Sequence, residues 1–361
     1  MEIDYMPSRD YNLLGPDAQN AVTNGLVTEN WYKTPIPRQQ IKALMRRSDQ
    51  PALRDTAILF TLMIGFAVGA IAVGQSWWAL PLWLAYGVFY GSAMDSRWHE
   101  CGHGTAFKTR WMNQTLYQIA CFCLIRDPHC WKFSHARHHS DTIIVGRDPE
   151  IAIMRPPNIP ALLVIFFGIF DFFNGFKRMF THAAGNILPE EAAYVPENYH
   201  PAIFRIARIW SLIYLLTLIV AFVLQSWVPV LLIGLPRMYG CWHIVLCGLL
   251  QHGGLADNVT DHRLNSRTVY MNPISRFIYW NMNYHIEHHM FPLVPYFRLP
   301  ELHRALAHDL PSPSHSIFAA YKEMLPAVMR QIKNPEYQIN RPLPATANPY
   351  QKHTSQTKAK N

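Results

Sequence analysis

The chain has 361 residues, half of them apolar, with 32 Lys and Arg against 24 Asp and Glu, a formal charge of +8. That length allows one large domain or two small ones, and the positive excess has a sufficient source in loops beside membrane segments, so it calls for no nucleic-acid partner. Six cysteines form no C-x-x-C pair, and the opening Met1-Glu2-Ile3-Asp4 lacks the basic and apolar regions of a signal peptide, which argues against export and for reduced thiols facing a cytoplasm.

From the N-terminus, residues 1–50 are polar and turn-rich up to Pro37–Met45, whose spacing predicts a helix lying along a membrane surface. Residues 55–73 contain no Lys or Arg and approach the ~20 apolar residues that a spanning helix needs. Residues 77–94 follow after Gly74-Gln75-Ser76, and a second pair of apolar runs, 209–225 and 227–250, turns at Gln225-Ser226-Trp227. The pattern predicts four transmembrane helices in two hairpins; the alternative is a set of buried helices in a soluble protein. Residues 115–125 are too short to span and predict a re-entrant or packed helix. Residues 160–176 are apolar but contain Asp171 and Asn174, which predicts an interfacial helix.

Basic residues test the topology, because Lys and Arg collect in cytoplasmic loops near spans. Lys42, Arg46, Arg47 and Arg54 precede the first run and Arg97, Lys108 and Arg110 follow the second. Arg205 and Arg208 precede the third, and Arg263 and Arg267 follow the fourth. Both termini and residues 97–207 are therefore expected in the cytoplasm, and the tail from Pro335 reads as disordered or loosely draped. The resulting division is an N-terminal segment 1–50, a four-span unit with its cap 51–310, and a tail 311–361.

Histidine spacing carries the chemistry. His99 and His103 stand as H-x-x-x-H just past the second run, while His135, His138, His139 and His285, His288, His289 repeat H-x-x-H-H. On a helix, positions i, i+3 and i+4 share one face, although adjacent histidines need not serve the same ion. His252 would emerge beyond the fourth run at the same level. The topology brings these nine histidines to one side of the membrane, more than one ion needs, so two metals sharing them is the better arithmetic. Imidazole suits Fe, Cu, Ni and Zn alike, which leaves the metal open at this point. Asp148 is a candidate to accept a hydrogen bond from a ligand histidine, and Arg237, deep in the fourth run, is a candidate to line a substrate cavity. His243 reads as a packed core residue; His182, His200, His262, His303, His308, His315 and His353 sit singly in polar surroundings and receive no role.

Two other classes compete. His99-Glu100-Cys101-Gly102-His103 matches the H-E-x-x-H of zinc proteases, but no Asp-Gly dipeptide supplies the further acidic ligand and two histidine clusters would go unused. A metal transporter or sensor would want polar residues along several spans, where only Arg237 is visible.

The three clusters in order, the four runs and the closing Asn283-Tyr284-His285-Ile286-Glu287-His288-His289-Met290-Phe291-Pro292 resemble the integral-membrane fatty acid desaturase and hydroxylase family over about residues 50–310. The resemblance implies an all-α membrane protein whose cytoplasmic helical cap carries a di-iron centre that uses O2 to oxidise an unactivated C–H bond. The eight clustered histidines take the family's ligand positions, and His252 takes that of its extra histidine. An acyl chain undergoing desaturation is the first substrate expectation; hydroxylation or oxidative demethylation of a small molecule is the alternative. Asp141–Glu150 and the first cluster resemble a bacterial subgroup that includes a rhizopine-catabolism protein, and a bacterial inner membrane is the expected location. No haem, flavin or iron–sulfur motif is visible, so electrons are expected from an external carrier such as ferredoxin with its reductase, docking on exposed Lys and Arg of residues 97–155 and 263–276.

Overall fold

The computed structural model describes residues 9–351, and these contain helices and isolated bridges but no strand. Two short helices, α1 (Pro16–Thr23) and α2 (Arg38–Leu44), precede α3 (Gln50–Ala72), the first element long and apolar enough to cross a membrane. The buried residues of α3 are Ala52, Asp55, Leu59, Met63, Ala67 and Ala70, a single stripe at helical spacing, while Ile58, Leu62, Ile64 and Val68 are exposed. A helix that packs one stripe and presents aliphatic side chains elsewhere is suited to lipid. The other uninterrupted candidate runs from Glu197 to Val223 and includes α11 (His200–Val223), which buries Ile203, Ala207, Trp210, Tyr214 and Thr217 and exposes Leu212, Leu215, Leu216 and Phe222.

The second and fourth expected spans are not single regular helices. The second is a continuous helical path of α4 (Ala79–Gly87), a π-helical turn (Val88–Ala93) and α5 (Met94–Gly102). The fourth is broken into α12 (Val228–Leu232), α13 (Pro236–Gly240) and α14 (Trp242–His252), with Gly234 at φ +91° between the first two. Pro229 and Pro236 open the first two pieces because proline has no N–H to give to a preceding turn. The freed groups at the second break find partners: buried Ser92 donates to the Gly240 carbonyl at 2.6 Å and accepts from the Ile244 N–H at 3.0 Å. A broken helix beside lipid persists only where neighbours satisfy its backbone.

Between these elements lie α6 (Arg110–Leu124), α7 (Pro128–Ser140), α8 (Ile159–Phe166), α9 (Ile169–Ala183) and α10 (Pro189–Ala192). The expected short helix at 115–125 is part of α6, which packs on α5. The expected interfacial helix is the pair α8 and α9, bent by 77° at Gly168, whose φ is +70°. It counts as a third candidate crossing or as a re-entrant loop. After α14, the short helices α15 (His262–Asn265), α16 (Pro273–Ile278), α17 (His285–Met290), α18 (Leu299–Leu306) and finally α19 (Ile317–Gln331) close the chain over its own core of Ile286, Met290, Leu299, Leu302 and Leu306.

Two expectations need correction. The tail is not loose as far as Gln351: Arg263 donates to the carbonyls of Asn348 and Pro349, and the Asn348 N–H donates to Asp309 at 2.8 Å. Residues 352–361 lie outside the described chain. Arg97, Arg263 and Arg267 are not surface residues flanking spans but are fully buried, Arg97 over the Trp280 ring, Arg263 between Asp261 and Asp309, and Arg267 against Glu323. Each finds a carboxylate, carbonyl or aromatic face inside the protein, which a count of charges along the chain does not register.

α13 meets the α4–α5 path through glycine: a Cβ at Gly240 would fall on the Gly87 backbone, and one at Gly91 would lie 2.7 Å from the Pro236 carbonyl oxygen. Backbone cannot swing aside as a side chain can. Gly240→Ala is therefore expected to destabilise the protein by about 1–3 kcal/mol or more, seen as a lower unfolding temperature in detergent. Gly65→Ala, on the exposed face of α3 with open space around it, should leave that temperature unchanged or raise it slightly.

Candidate metal centre

Each histidine group is positioned by a helix with a local reason to form there. α7 starts at Pro128 with Asp127 as its cap, accepting from the N–H groups of His129 and Cys130 at 2.8 and 3.0 Å. Its length then carries His135, His138 and His139 inward. His99 and His103 lie one turn apart at the end of α5, His252 ends α14, and α17 consists almost wholly of the third cluster before Phe291 and Pro292 stop it.

All nine sequence-selected histidines converge, in two groups. His99, His103, His135, His139 and His288 form one; His138, His252, His285 and His289 form the other. Adjacent pairs are divided: His138 and His139 face different groups, as do His288 and His289, because neighbouring positions on a helix point about 100° apart. Within the first group His103–His135, His135–His139 and His139–His288 each bring Nε2 atoms to 3.1 Å. In the second, His285 Nε2 is 3.0 Å from His252 Nε2 and 2.9 Å from His289 Nε2.

Those distances suit a metal. For metal–nitrogen bonds of ~2.1 Å, nitrogens at right angles about an ion lie about 3.0 Å apart, whereas tetrahedral ligands lie about 3.4 Å apart. The residues therefore fit two ions of higher coordination number better than a closed tetrahedral zinc. Burial together with neighbouring imidazoles holds His99, His135, His139, His285, His288 and His289 well below the usual histidine range, while burial sends His103 to about 4 and His252 to about 3. Such rings are neutral at pH 7, the form that offers a lone pair. His138 differs: burial lowers it, but the Asp148 charge, the hydrogen bond to Asp148 and the Glu150 charge together outweigh burial and raise it to about 9.

The far nitrogens of four rings are anchored. His138 Nδ1 lies 2.8 Å from Asp148 Oδ2, His135 Nδ1 lies 3.1 Å from Glu150 Oε2, His252 Nδ1 lies 2.7 Å from the Asn265 carbonyl, and His289 Nδ1 lies 3.3 Å from Thr142 Oγ1. Such contacts orient a ring and choose its tautomer. Glu150, Asn265 and Thr142 escaped sequence reasoning; Glu150 alone had a signal, standing two residues after Asp148. Three histidines assigned no role do not sit singly in polar surroundings. His262 is buried, stacked 4.4 Å from Trp31 and 4.9 Å from the His289 ring; buried His303 bonds Glu287; and buried His182 bonds Glu191. His353 lies outside the described residues. His243 is buried, 3.2 Å from Ser275 Oγ.

Glu100, the would-be base of the protease motif, is fully buried and turned to structure: its Oε1 accepts from Thr105 at 2.7 Å and from the Tyr296 N–H at 3.0 Å. A third cluster, Cys130, His182 and Glu191, is also close enough to hold an ion. Its carboxylate already accepts from Arg178 at 2.8 Å and bonds His182 at 2.7 Å, so it reads as a closed tie between α9 and α10.

A cavity of about 750 Å³ reaches His99, His135, His138 and His285. Arg237 lies in its wall, its side chain 1% exposed, bonded to Asp171 at 2.7 Å and to the Gly91 carbonyl at 3.0 Å.

Comparison with known proteins agrees with this geometry. A family model described as fatty acid desaturase matches residues 75–321. The chain is 26% identical over 304 residues to the acyl-lipid (9+3)-(E)-desaturase of Dimorphotheca sinuata, covering 76% of this chain and 79% of the relative. It is 21% identical over 303 residues to the acyl-lipid omega-3 desaturase (cytochrome b5), endoplasmic reticulum, of Arabidopsis thaliana, covering 78% and 73%. It is also 26% identical over 134 residues to the sn-1 acyl-lipid omega-3 desaturase (ferredoxin) of Nostoc sp. (strain 36), covering 36% and 37%.

Asp148 also accepts from the N–H groups of Ile143 and Glu150, at 2.8 Å each, so it fixes the loop after α7 as well as the His138 ring. Asp148→Asn keeps the shape but loses the charge. It should weaken metal binding about 10–100-fold, read as metal per chain after dialysis against a graded chelator, with helical circular dichroism unchanged.

Proposed function

Because the chain belongs to the fatty acid desaturase family, an enzyme family, we propose that it is a membrane-bound oxidoreductase that holds two iron ions and uses O2 to oxidise an unactivated C–H bond. The observation that carries this reading is the convergence of nine imidazoles, six buried and three half-buried, in a group of five and a group of four. Iron suits an all-imidazole set with nitrogens about 3.0 Å apart, and its chemistry when bound would be the activation of O2. The chain's own residues do the rest. Asp148, Glu150, Asn265 and Thr142 hold ring nitrogens in place. Glu100 and His103 have the Glu-x-x-His spacing of ferritin-type ligands, but the Glu100 carboxylate is turned away to Thr105 and Tyr296, and the Glu before His288 turns away to Thr268 and His303.

Two reactions fit this scaffold. Desaturation of an acyl chain is supported by relatives whose names specify acyl lipids. Hydroxylation or demethylation of a small molecule is supported by the charged wall of the cavity. The zinc protease reading has no support, since His99 and His103 belong to the all-imidazole group and Glu100 serves Thr105 and Tyr296.

The proposed topology has four crossings, two of them broken or π-distorted, with both termini and the histidine cap in the cytoplasm of a bacterium. Exposed Lys42, Arg46, Arg47, Lys108, Arg110, Arg205 and Arg208 favour that side. Electrons come from a separate carrier; the Nostoc relative's name specifies ferredoxin and the Arabidopsis relative's cytochrome b5. Docking would use exposed Lys108, Arg110 and Lys132, since Arg97, Arg155, Arg263 and Arg267 are buried.

Purified protein supplied with O2 and NAD(P)H alone is expected to make no product beyond a single turnover, and addition of ferredoxin with its reductase should restore steady oxidation. Mass spectrometry then separates loss of two hydrogens from gain of one oxygen. Repeated turnover without any carrier would contradict the external-donor reading, and full activity of a metal-free sample would contradict the di-iron reading.

A further inference from the structure

Charge surrounds the cavity beside the histidines. Asp95 stands one turn before His99 on α5. Arg126 bonds Asp95 at 3.0 Å and reaches Asp171 at 3.4 Å; Arg237 bonds Asp171 at 2.7 Å and lies 3.8 Å from Asp95. The two arginines and two aspartates close a ring that joins α5, the turn before α7, α9 and α13. Farther along the wall, Arg178 pairs with Glu190 at 3.4 Å and Glu191 at 2.8 Å.

The ring is a structural tie, yet a tie needs no access to open space. The Asp171 side chain is 28% exposed and that of Glu190 45%, and both line the cavity. Setting aside Asp148, Glu150 and Glu191, which hold histidines, the wall has the carboxylates Asp95, Asp127, Asp171 and Glu190. Against these four stand the three guanidiniums of Arg126, Arg178 and Arg237, so acid is in excess by one. Trp98, Trp131 and Trp210 share the lining, and the Arg126 guanidinium already lies 4.0 Å over the Trp131 ring. This wall accepts a cation on an aromatic face.

A chain of methylenes laid here would strip water from half-exposed ions and return no hydrogen bond. A cationic group would meet surplus carboxylate and indole together. Resting on the oxidoreductase reading above, we propose that the cavity admits a compact polar substrate bearing a positively charged nitrogen, in place of a long acyl chain.

The test uses full-length, iron-loaded protein in phosphatidylglycerol nanodiscs, titrated with choline, glycine betaine and tetramethylammonium while tryptophan fluorescence is followed. At least one cation is expected to give a saturable change. Glu190→Gln, a half-exposed position that leaves Arg178 its Glu191 partner, should weaken it several-fold, and Asp171→Asn, which opens the ring, tenfold or more. Circular dichroism of Glu190→Gln should match the parent, so a folding defect does not confuse the result. No saturable response to any of the three cations, or equal responses in parent and both variants, would overturn the proposal. Iron content and oxidation of an oleoyl lipid are measured on the same samples. Two irons with steady acyl oxidation and no cation response would sink this inference while leaving the oxidoreductase reading intact; saturable binding to a sample that cannot hold iron would do the reverse.

Discussion

Nine imidazoles converging in one volume, six of them buried and three half-buried, are the constraint on which this structure turns. Neutral ring nitrogens facing one another at about 3 Å need a proton or a cation between them, because a lone pair gains nothing from another lone pair. Burial removes most of the protons by penalising imidazolium. A pair of metal ions would resolve the conflict, and the surrounding protein is consistent with that solution. The helices end or begin at the histidines, and carboxylates, a carbonyl and a hydroxyl meet the outward nitrogens of four rings.

The membrane part bends to serve that centre. Where α13 and α14 pass the α4–α5 path, the chain places Gly87 against Gly240, has a π-helical turn opposite the break, and lets Ser92 satisfy both sides of it. These irregularities occur where backbone is covered by protein, the one setting in which a bilayer tolerates them. Arg237 belongs to the same logic, being charged but fully enclosed by Asp171, Asp95 and the Gly91 carbonyl.

Much of the site was legible in the sequence because histidine spacing is a local property. H-x-x-H-H on a helix specifies which rings share a face, and all nine selected histidines fall in the two groups. Partners distant in sequence were less legible: Asn265 and Thr142 bear on His252 and His289 through folding alone. Hydropathy found the apolar runs but not the breaks, since it averages over the Gly234 and Cys241 positions where helices stop. Charge counting erred where arginines are interior, as with Arg263 between Asp261 and Asp309, and composition suggested a loose tail where two carbonyls are bound by that same Arg263.

The interleaving of the two groups is the central claim, and anomalous diffraction at the iron edge from crystals of the iron-loaded protein tests it most directly. The account predicts two peaks, one enclosed by His99, His103, His135, His139 and His288 and the other by His138, His252, His285 and His289. A single peak, or one seated on Cys130, His182 and Glu191 in place of either group, would contradict it.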